Sequence, residues 1–237
     1  MDSPLDQLLS DIKLLIFDID GVLVDVRNSY RLAIEKTVEY YSQTEVHPNE
    51  IQKLKDESGF NNDWDLTQEL LKRKNITLPR EKIIDTFQSY YWGYGGDGLI
   101  QSETWLMDIS LLEALSDQYK LSVFTGRPRM EAEFVLKRNQ AIRYFHPIVA
   151  MEDVNQGKPN PEGLIGIYQS LGISPYQSVY FGDTFDDVRV AVAGGSLAVA
   201  VIPPGGNNDL IAQYRELGAR TVLNSINDLK DGFRRVR

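Results

Sequence analysis

Residues 12–17, Ile-Lys-Leu-Leu-Ile-Phe, form a short and nearly unbroken apolar run that stops at Asp18. Such a run predicts a strand buried on both faces of a parallel sheet, because helices covering both sides leave no polar face to alternate with. Leu121–Phe124, Ile148–Ala150, Val179–Phe181 and Leu197–Ile202 repeat the pattern. Between the runs lie segments with helical spacing and start or stop signals. Asp108 precedes Leu111, Leu112 and Leu115, Pro128 and Pro161 sit at first turns, and Gly172 closes the second proline helix. Thr184 with Asp187 three residues later reads as a capping box, ahead of a helix that ends at Gly194-Gly195. Alternating strands and helices predict an α/β fold, a doubly wound (Rossmann-like) parallel sheet.

Residues 26–98 interrupt this alternation with helical patterns alone: Tyr30/Ile34/Val38/Tyr41, then 48–57, then Leu66/Leu70, then Ile83/Ile84/Phe87/Tyr91. Pro48 and Pro79 mark helix starts. The expected organisation is a core of residues 1–25 and 99–237 with an inserted α-helical cap domain over 26–98, a lid beside the crevice at the strand ends. The run Gly93-Tyr94-Gly95-Gly96-Asp97-Gly98 falls where the insert returns, and reads as a hinge or as a turn that needs positive φ. Arg27, Tyr30 and Arg31, near the entry to the insert, are candidates for contact with a leaving group, or for solvated and packing roles.

Composition narrows the function classes. The 237 residues are 42% hydrophobic and 25% charged, which is the balance of an ordinary globular protein. A net charge of −9 argues against sequence-independent binding to nucleic acid or to an anionic membrane surface. The basic runs Lys72-Arg73-Lys74 and Arg234-Arg235 read as solvated helix ends. There is no cysteine, so thiol nucleophiles, thiolate metal sites and disulfides within the chain are excluded, and a reducing cytoplasmic location is expected. Met1 to Asp6 lack the basic start and apolar stretch of a signal peptide, and no run approaches the ~20 apolar residues of a membrane span.

Candidate chemistry gathers at the strand ends. The first run leads into Asp18-Ile19-Asp20-Gly21-Val22-Leu23-Val24-Asp25, where two carboxylates two residues apart on extended backbone project to one side. Carboxylates that close repel, so they call for a cation, a shared proton or water. Thr125-Gly126-Arg127 follows another strand and precedes a helix, so a hydroxyl and backbone N–H groups can reach an anion there. Gly157-Lys158-Pro159-Asn160-Pro161 sets a lysine just before a proline-started helix, and Gly182-Asp183-Thr184-Phe185-Asp186-Asp187 closes a further strand. In order and spacing these four segments resemble the motifs of the haloacid-dehalogenase-like (HAD) superfamily with a helical cap, in the phosphoglycolate phosphatase and β-phosphoglucomutase branch.

The resemblance implies a phosphatase acting on a small phosphorylated metabolite. It implies that Asp18 attacks phosphorus to give an aspartyl phosphate and that Asp20 serves as general acid and base. Thr125, Gly126 and Arg127 would contact the phosphoryl group, Lys158 would neutralise nucleophile and phosphate, and Asp183 would bind metal with Asp187 supporting it. Asp18, Asp20, Asp183 and Asp187 bring four negative charges against Lys158, so a divalent cation is needed before a phosphate dianion can approach. Hard oxygen ligands favour Mg²⁺, held by Asp18, the backbone carbonyl of Asp20 and Asp183. Val22 replaces the threonine common in the phosphatases, and Thr125-Gly126-Arg127 replaces their usual threonine or serine followed by asparagine. These departures keep open a β-phosphoglucomutase-like phosphotransferase or a non-catalytic phosphate-ligand-binding regulatory protein, as a monomer or homodimer.

Overall fold

The computed structural model describes residues 11–56 and 62–230; the Met1–Asp6 segment, the end of the helical pattern at 57 and the Arg234-Arg235 pair lie outside them. The chain divides into two compact units, one running to Val24 and resuming at Trp105, the other spanning Asp25–Thr104.

In the first unit the apolar runs are strands: β1 (Leu14–Phe17), β4 (Lys120–Phe124), β5 (Phe145–Val149), β6 (Ser178–Gly182) and β7 (Leu197–Val201), joined by β8 (Thr221–Leu223). Among the described residues they form one six-stranded sheet in the order β5-β4-β1-β6-β7-β8. Every pairing in it is parallel. Helices α5 (Ile109–Ser116), α6 (Arg129–Arg138), α7 (Glu162–Leu171), α8 (Phe185–Gly194) and α9 (Ile211–Glu216) lie between successive strands.

Both faces of the central strands are covered, as their continuous apolar character requires. Leu14 and Ile16 of β1 pack with Phe124, Tyr180, Ala198 and Ala200 in one cluster with Leu164, Ile167 and Val188 from the helices. The alternate residue Phe17 stacks on Phe181 at 4.9 Å and meets Phe145 edge-on at 5.9 Å. Burying each such side chain contributes about 1.5–3 kcal/mol.

Capping follows the sequence at the glycines and at the capping box, and departs from it at the prolines and at Asp108. Thr184 and Asp187 make the reciprocal capping box of α8, and Gly172 and Gly195 close α7 and α8 in left-handed conformation. Pro128 and Pro161 stand at the N-cap, one position before the first helical residue. Asp108 occupies the N-cap of α5 but makes no capping hydrogen bond. Its carboxylate pairs with Lys230 instead, a long-range charge that outcompetes the local N–H groups.

The second unit contains α1 (Tyr30–Ser42), α2 (Pro48–Asp56), α3 (Asp63–Arg73) and α4 (Arg80–Tyr91). Short strands β2 (Val24–Asp25) and β3 (Thr104–Trp105) carry the chain out and back, and they pair with each other. Tyr30 of α1 is buried against α4, its ring stacked 4.1 Å from Tyr91, so it is a packing residue of this unit. Arg27 is tied to the Asp25 carboxylate at 2.7 Å. Glu103 is buried and accepts from the Ser29 hydroxyl at 2.9 Å and the Tyr91 hydroxyl at 3.0 Å.

The glycine run lies inside this unit, short of the crossing at Thr104. Gly93, Gly95 and Gly96 have positive φ, and the Gly98 N–H donates to the Trp92 carbonyl at 2.9 Å. The run is a hydrogen-bonded turn with positive φ, a geometry common to both readings.

Candidate active site

In a parallel sheet every strand delivers its C-terminal residue to the same edge. Phe17 is in register with Val123 and with Phe181, so Asp18, Thr125 and Asp183 leave neighbouring strands close together. The Asp18 N–H donates to the Phe181 carbonyl at 2.8 Å and the Thr125 N–H to the Val149 carbonyl at 3.0 Å, which fixes both main chains where regular pairing stops.

Lys158 is the centre of the arrangement. Its side chain is only 6% exposed, and Nζ lies 3.0 Å from Asp18 Oδ1 and 2.7 Å from Asp187 Oδ1. The ammonium also sits over the rings of Phe124 and Tyr180, 5.4 and 5.5 Å from their centroids. Two carboxylates and two aromatic faces thus replace the water a buried ammonium loses.

Asp187 is held on every side. Oδ1 accepts from Lys158 and from the Tyr180 hydroxyl at 3.0 Å, while Oδ2 accepts from the Thr184 N–H at 3.0 Å and the Thr184 hydroxyl at 2.7 Å. One carboxylate therefore caps α8, orients Tyr180 and anchors Lys158. Gly182 allows this proximity, since a Cβ there would overlap the Asp187 side chain.

The charges respond differently. Burial pushes the Asp18 carboxyl up, Lys158 opposes it, and Asp187 and Asp20 add repulsion; the result is a pKa of about 7. Burial raises Asp187 too, but Lys158 and the hydrogen bonds from Lys158 and Thr184 outweigh it, leaving it below the usual carboxylate range. Burial pulls Lys158 down, yet Asp18 and Asp187 together hold it above the usual lysine range, so it stays charged. Burial, with Asp187 nearby, pushes the Tyr180 hydroxyl well up, and it remains a donor.

Asp183 offers a carboxylate oxygen to the same place: single oxygens of Asp18, Asp183 and Asp187 lie within 4.8 Å of one another. Its carbonyl accepts from the Tyr214 hydroxyl at 2.6 Å. Gly21, at φ +70°, passes so close that a Cβ would overlap Asp183 Oδ2. The turn after β1 is therefore glycine for two reasons, its left-handed backbone and its contact with Asp183. Asp18 Oδ1 is buried without a hydrogen-bond partner of adequate geometry, and the surrounding donors are all hard oxygens. That donor set fits a hard divalent cation better than a soft one. Asp187, already saturated by four hydrogen bonds, is poorly placed to be a direct ligand and well placed to hold Lys158.

Asp20 stands apart from this group. β1 ends at Phe17, so Asp20 lies on the following turn, where its carboxylate meets Arg127. Arg127 is 1% exposed; Nε donates to Asp20 Oδ1 at 2.7 Å and Nη2 lies 2.5 Å from the same oxygen. The Arg127 N–H donates to Thr125 Oγ1 at 3.2 Å, which leaves the Thr125 hydroxyl hydrogen able to point elsewhere. Gly126 between them is exposed. The charge balance drawn from the sequence thus needs a correction: Arg127 joins Lys158 as a second buried cation against the four carboxylates.

Sequence reasoning did not single out Phe124, Tyr180 or Tyr214. For Tyr180 the available signal was a tyrosine in an otherwise apolar, doubly buried strand, whose hydroxyl must find a partner.

A family model described as haloacid dehalogenase-like hydrolase matches residues 15–201. An imidazoleglycerol-phosphate dehydratase of Phytophthora nicotianae is 30% identical over 83% of this chain, and the chain spans 45% of that relative's length. A phosphoglycolate phosphatase of Aquifex aeolicus is 25% identical over 78% of this chain and 82% of its own. Among solved structures, a HAD family hydrolase from Deinococcus radiodurans with bound phosphate and sodium superposes with a TM-score of 0.73 at 20% identity, covering 94% of this chain and 96% of that one. At that identity the likeness concerns the fold.

Proposed function

We propose, from the premise that the chain belongs to the haloacid dehalogenase-like hydrolase family and is a phosphatase, that it hydrolyses a small phosphomonoester through an aspartyl phosphate on Asp18. The observation that carries this reading is Lys158, buried and charged between Asp18 and Asp187 at the edge where Asp183 also arrives. A cation held against a carboxylate keeps that carboxylate oriented and offsets the charge of an incoming phosphate.

In the proposed reaction an Asp18 oxygen forms a bond to phosphorus as the bond to the alcohol oxygen breaks, and Asp20 gives the departing oxygen its proton. Asp20 then takes a proton from water as the water oxygen attacks phosphorus, which releases inorganic phosphate and restores Asp18. Thr125, with its hydroxyl hydrogen unspent on Arg127, and the backbone N–H of the exposed Gly126 would donate to phosphoryl oxygens, which supports the reading. Mg²⁺, held by Asp18, the Asp20 carbonyl and Asp183, would supply neutralisation of the transferring group. Four carboxylates facing two buried cations leave an excess that one divalent ion matches.

The test is inorganic phosphate release from phosphoglycolate, imidazoleglycerol phosphate, sugar phosphates and nucleotides, with Mg²⁺ or with chelator, beside Asp18→Asn. The expected result is Mg²⁺-dependent release that the variant loses by at least a thousandfold. Full activity in Asp18→Asn, or in chelator, would overturn the assignment.

A further inference from the structure

Outside the Lys158 group, Arg127 is a charged side chain only 1% exposed, and it pairs with the residue assigned to proton transfer. We propose that Arg127 is a positioning residue for that step, its guanidinium gripping one oxygen of Asp20 so that the other is presented to the leaving group. The inference rests on the phosphatase reading above and deepens it.

Both contacts, from Nε at 2.7 Å and Nη2 at 2.5 Å, fall on Oδ1. Among the described residues Oδ2 of Asp20 accepts no hydrogen bond. A fork that takes one oxygen twice fixes the plane and direction of the carboxylate while leaving the second oxygen for chemistry. The grip starts from a fixed base: the Arg127 N–H is held by Thr125 Oγ1 at 3.2 Å and its carbonyl by the Met151 N–H at 2.9 Å. Asp20 itself is 30% exposed on a turn outside the sheet, so its backbone alone does not immobilise the side chain.

Stability is a poor reason for such a pair. Burying a guanidinium costs desolvation, and apolar residues of similar volume pack as well or better than a buried ion pair. Direct contact with phosphate is also less well matched to this geometry, since Nε and Nη2, one edge of the guanidinium fork, are engaged with Asp20. Proton transfer, by contrast, is sensitive to placement: an ångström of misalignment costs on the order of a hundredfold in rate.

The experiment compares two leaving groups in wild type, Arg127→Met and Arg127→Lys, reading kcat/KM, which reports the steps through departure of the alcohol. An alkyl phosphate needs a proton on its leaving oxygen, whereas 4-nitrophenolate departs without one. In Arg127→Met, kcat/KM for the best alkyl phosphate of the panel is expected to fall ~30- to 100-fold and that for 4-nitrophenyl phosphate less than about threefold, with inhibition by inorganic phosphate unchanged. Arg127→Lys, with one point contact in place of a fork, is expected to recover part of the alkyl loss. Equal losses on both substrates with weaker phosphate inhibition would overturn the proposal in favour of a phosphate contact. No loss on either would reduce Arg127 to packing. Melting curves identify a Met variant that fails to fold, and Arg127→Lys then carries the same comparison. Wild type inactive on every phosphate would sink the phosphatase reading itself, a result separate from any behaviour of the variants.

Discussion

Asp18 and Asp187 share one lysine and end with opposite proton affinities, and the difference lies in what else each touches. Asp187 has donors on both oxygens, so its charge is solvated by protein. Asp18 has the lysine but is otherwise desolvated and repelled, which raises it to about 7 from an unfolded value of 3.8. A carboxyl raised by folding contributes stability below its unfolded value and loses it as pH rises through the folded value. In chelator, then, Asp18 weakens the fold between about pH 4 and 7, while a cation that requires the ionised form relieves that loss. The rise in melting temperature from Mg²⁺ is expected to be larger at pH 8 than at pH 5, measured by scanning fluorimetry against chelator; an equal rise at both would show that Asp18 is not the linked group. The motif residues themselves were legible because they stand at strand ends, where apolar runs break on acids. The Arg127–Asp20 pair was not, because its members are 107 positions apart and only the parallel crossover brings them together.

At the scale of elements, local chemistry was readable wherever a signal lay within a few residues of its effect. The capping box of α8 was explicit in Thr184 and Asp187, and here it supports more than the helix, since the same Asp187 anchors Lys158. Thr184→Ala is expected to cost about 1 kcal/mol in chemical denaturation. It should also lower kcat more than it raises KM, because Asp187 loses the hydroxyl donor at 2.7 Å, one of its four restraints, while the backbone N–H of residue 184 stays. Unchanged kcat would show that Lys158 alone suffices to hold it. Strand β8 escaped notice because three residues carry little periodicity, and β2 and β3, at two residues each, carry none. Asp108 failed as a cap for the opposite reason: a correct local signal lost to Lys230, 122 positions away. Gly95 separates the two readings of the glycine run, for an added Cβ meets nothing within 4 Å while its φ is +75°. Gly95→Ala is expected to cost about 1 kcal/mol from the left-handed backbone alone, with turnover unaffected; a large fall in kcat at little cost in stability would decide for the hinge.

At the scale of the whole chain, the two units are interleaved in sequence, the sheet unit being interrupted by the helical one. Everything assigned here to phosphoryl transfer and to the cation, from Asp18 to Asp187, belongs to the unit that stops at Val24 and resumes at Trp105. That unit has its own doubly covered sheet, and the broken ends of its chain are neighbours: β2 pairs with β3, and the Leu106 N–H donates to the Leu23 carbonyl at 2.8 Å. Replacing residues 27–102 by a short glycine-containing turn therefore closes a gap that is already closed, at a loop cost that varies only slowly with length. The shortened chain is expected to fold, with the circular dichroism of an α/β protein, and to show a Mg²⁺-dependent rise in melting temperature that Asp183→Asn abolishes. Tyr30, Phe87 and Tyr91 leave with the excised segment, while Glu103 stays and loses its Ser29 and Tyr91 donors. A shortened chain that folds without responding to Mg²⁺ would mean that the insert helps to assemble the acidic cluster, and the division of labour argued from the contacts would fall.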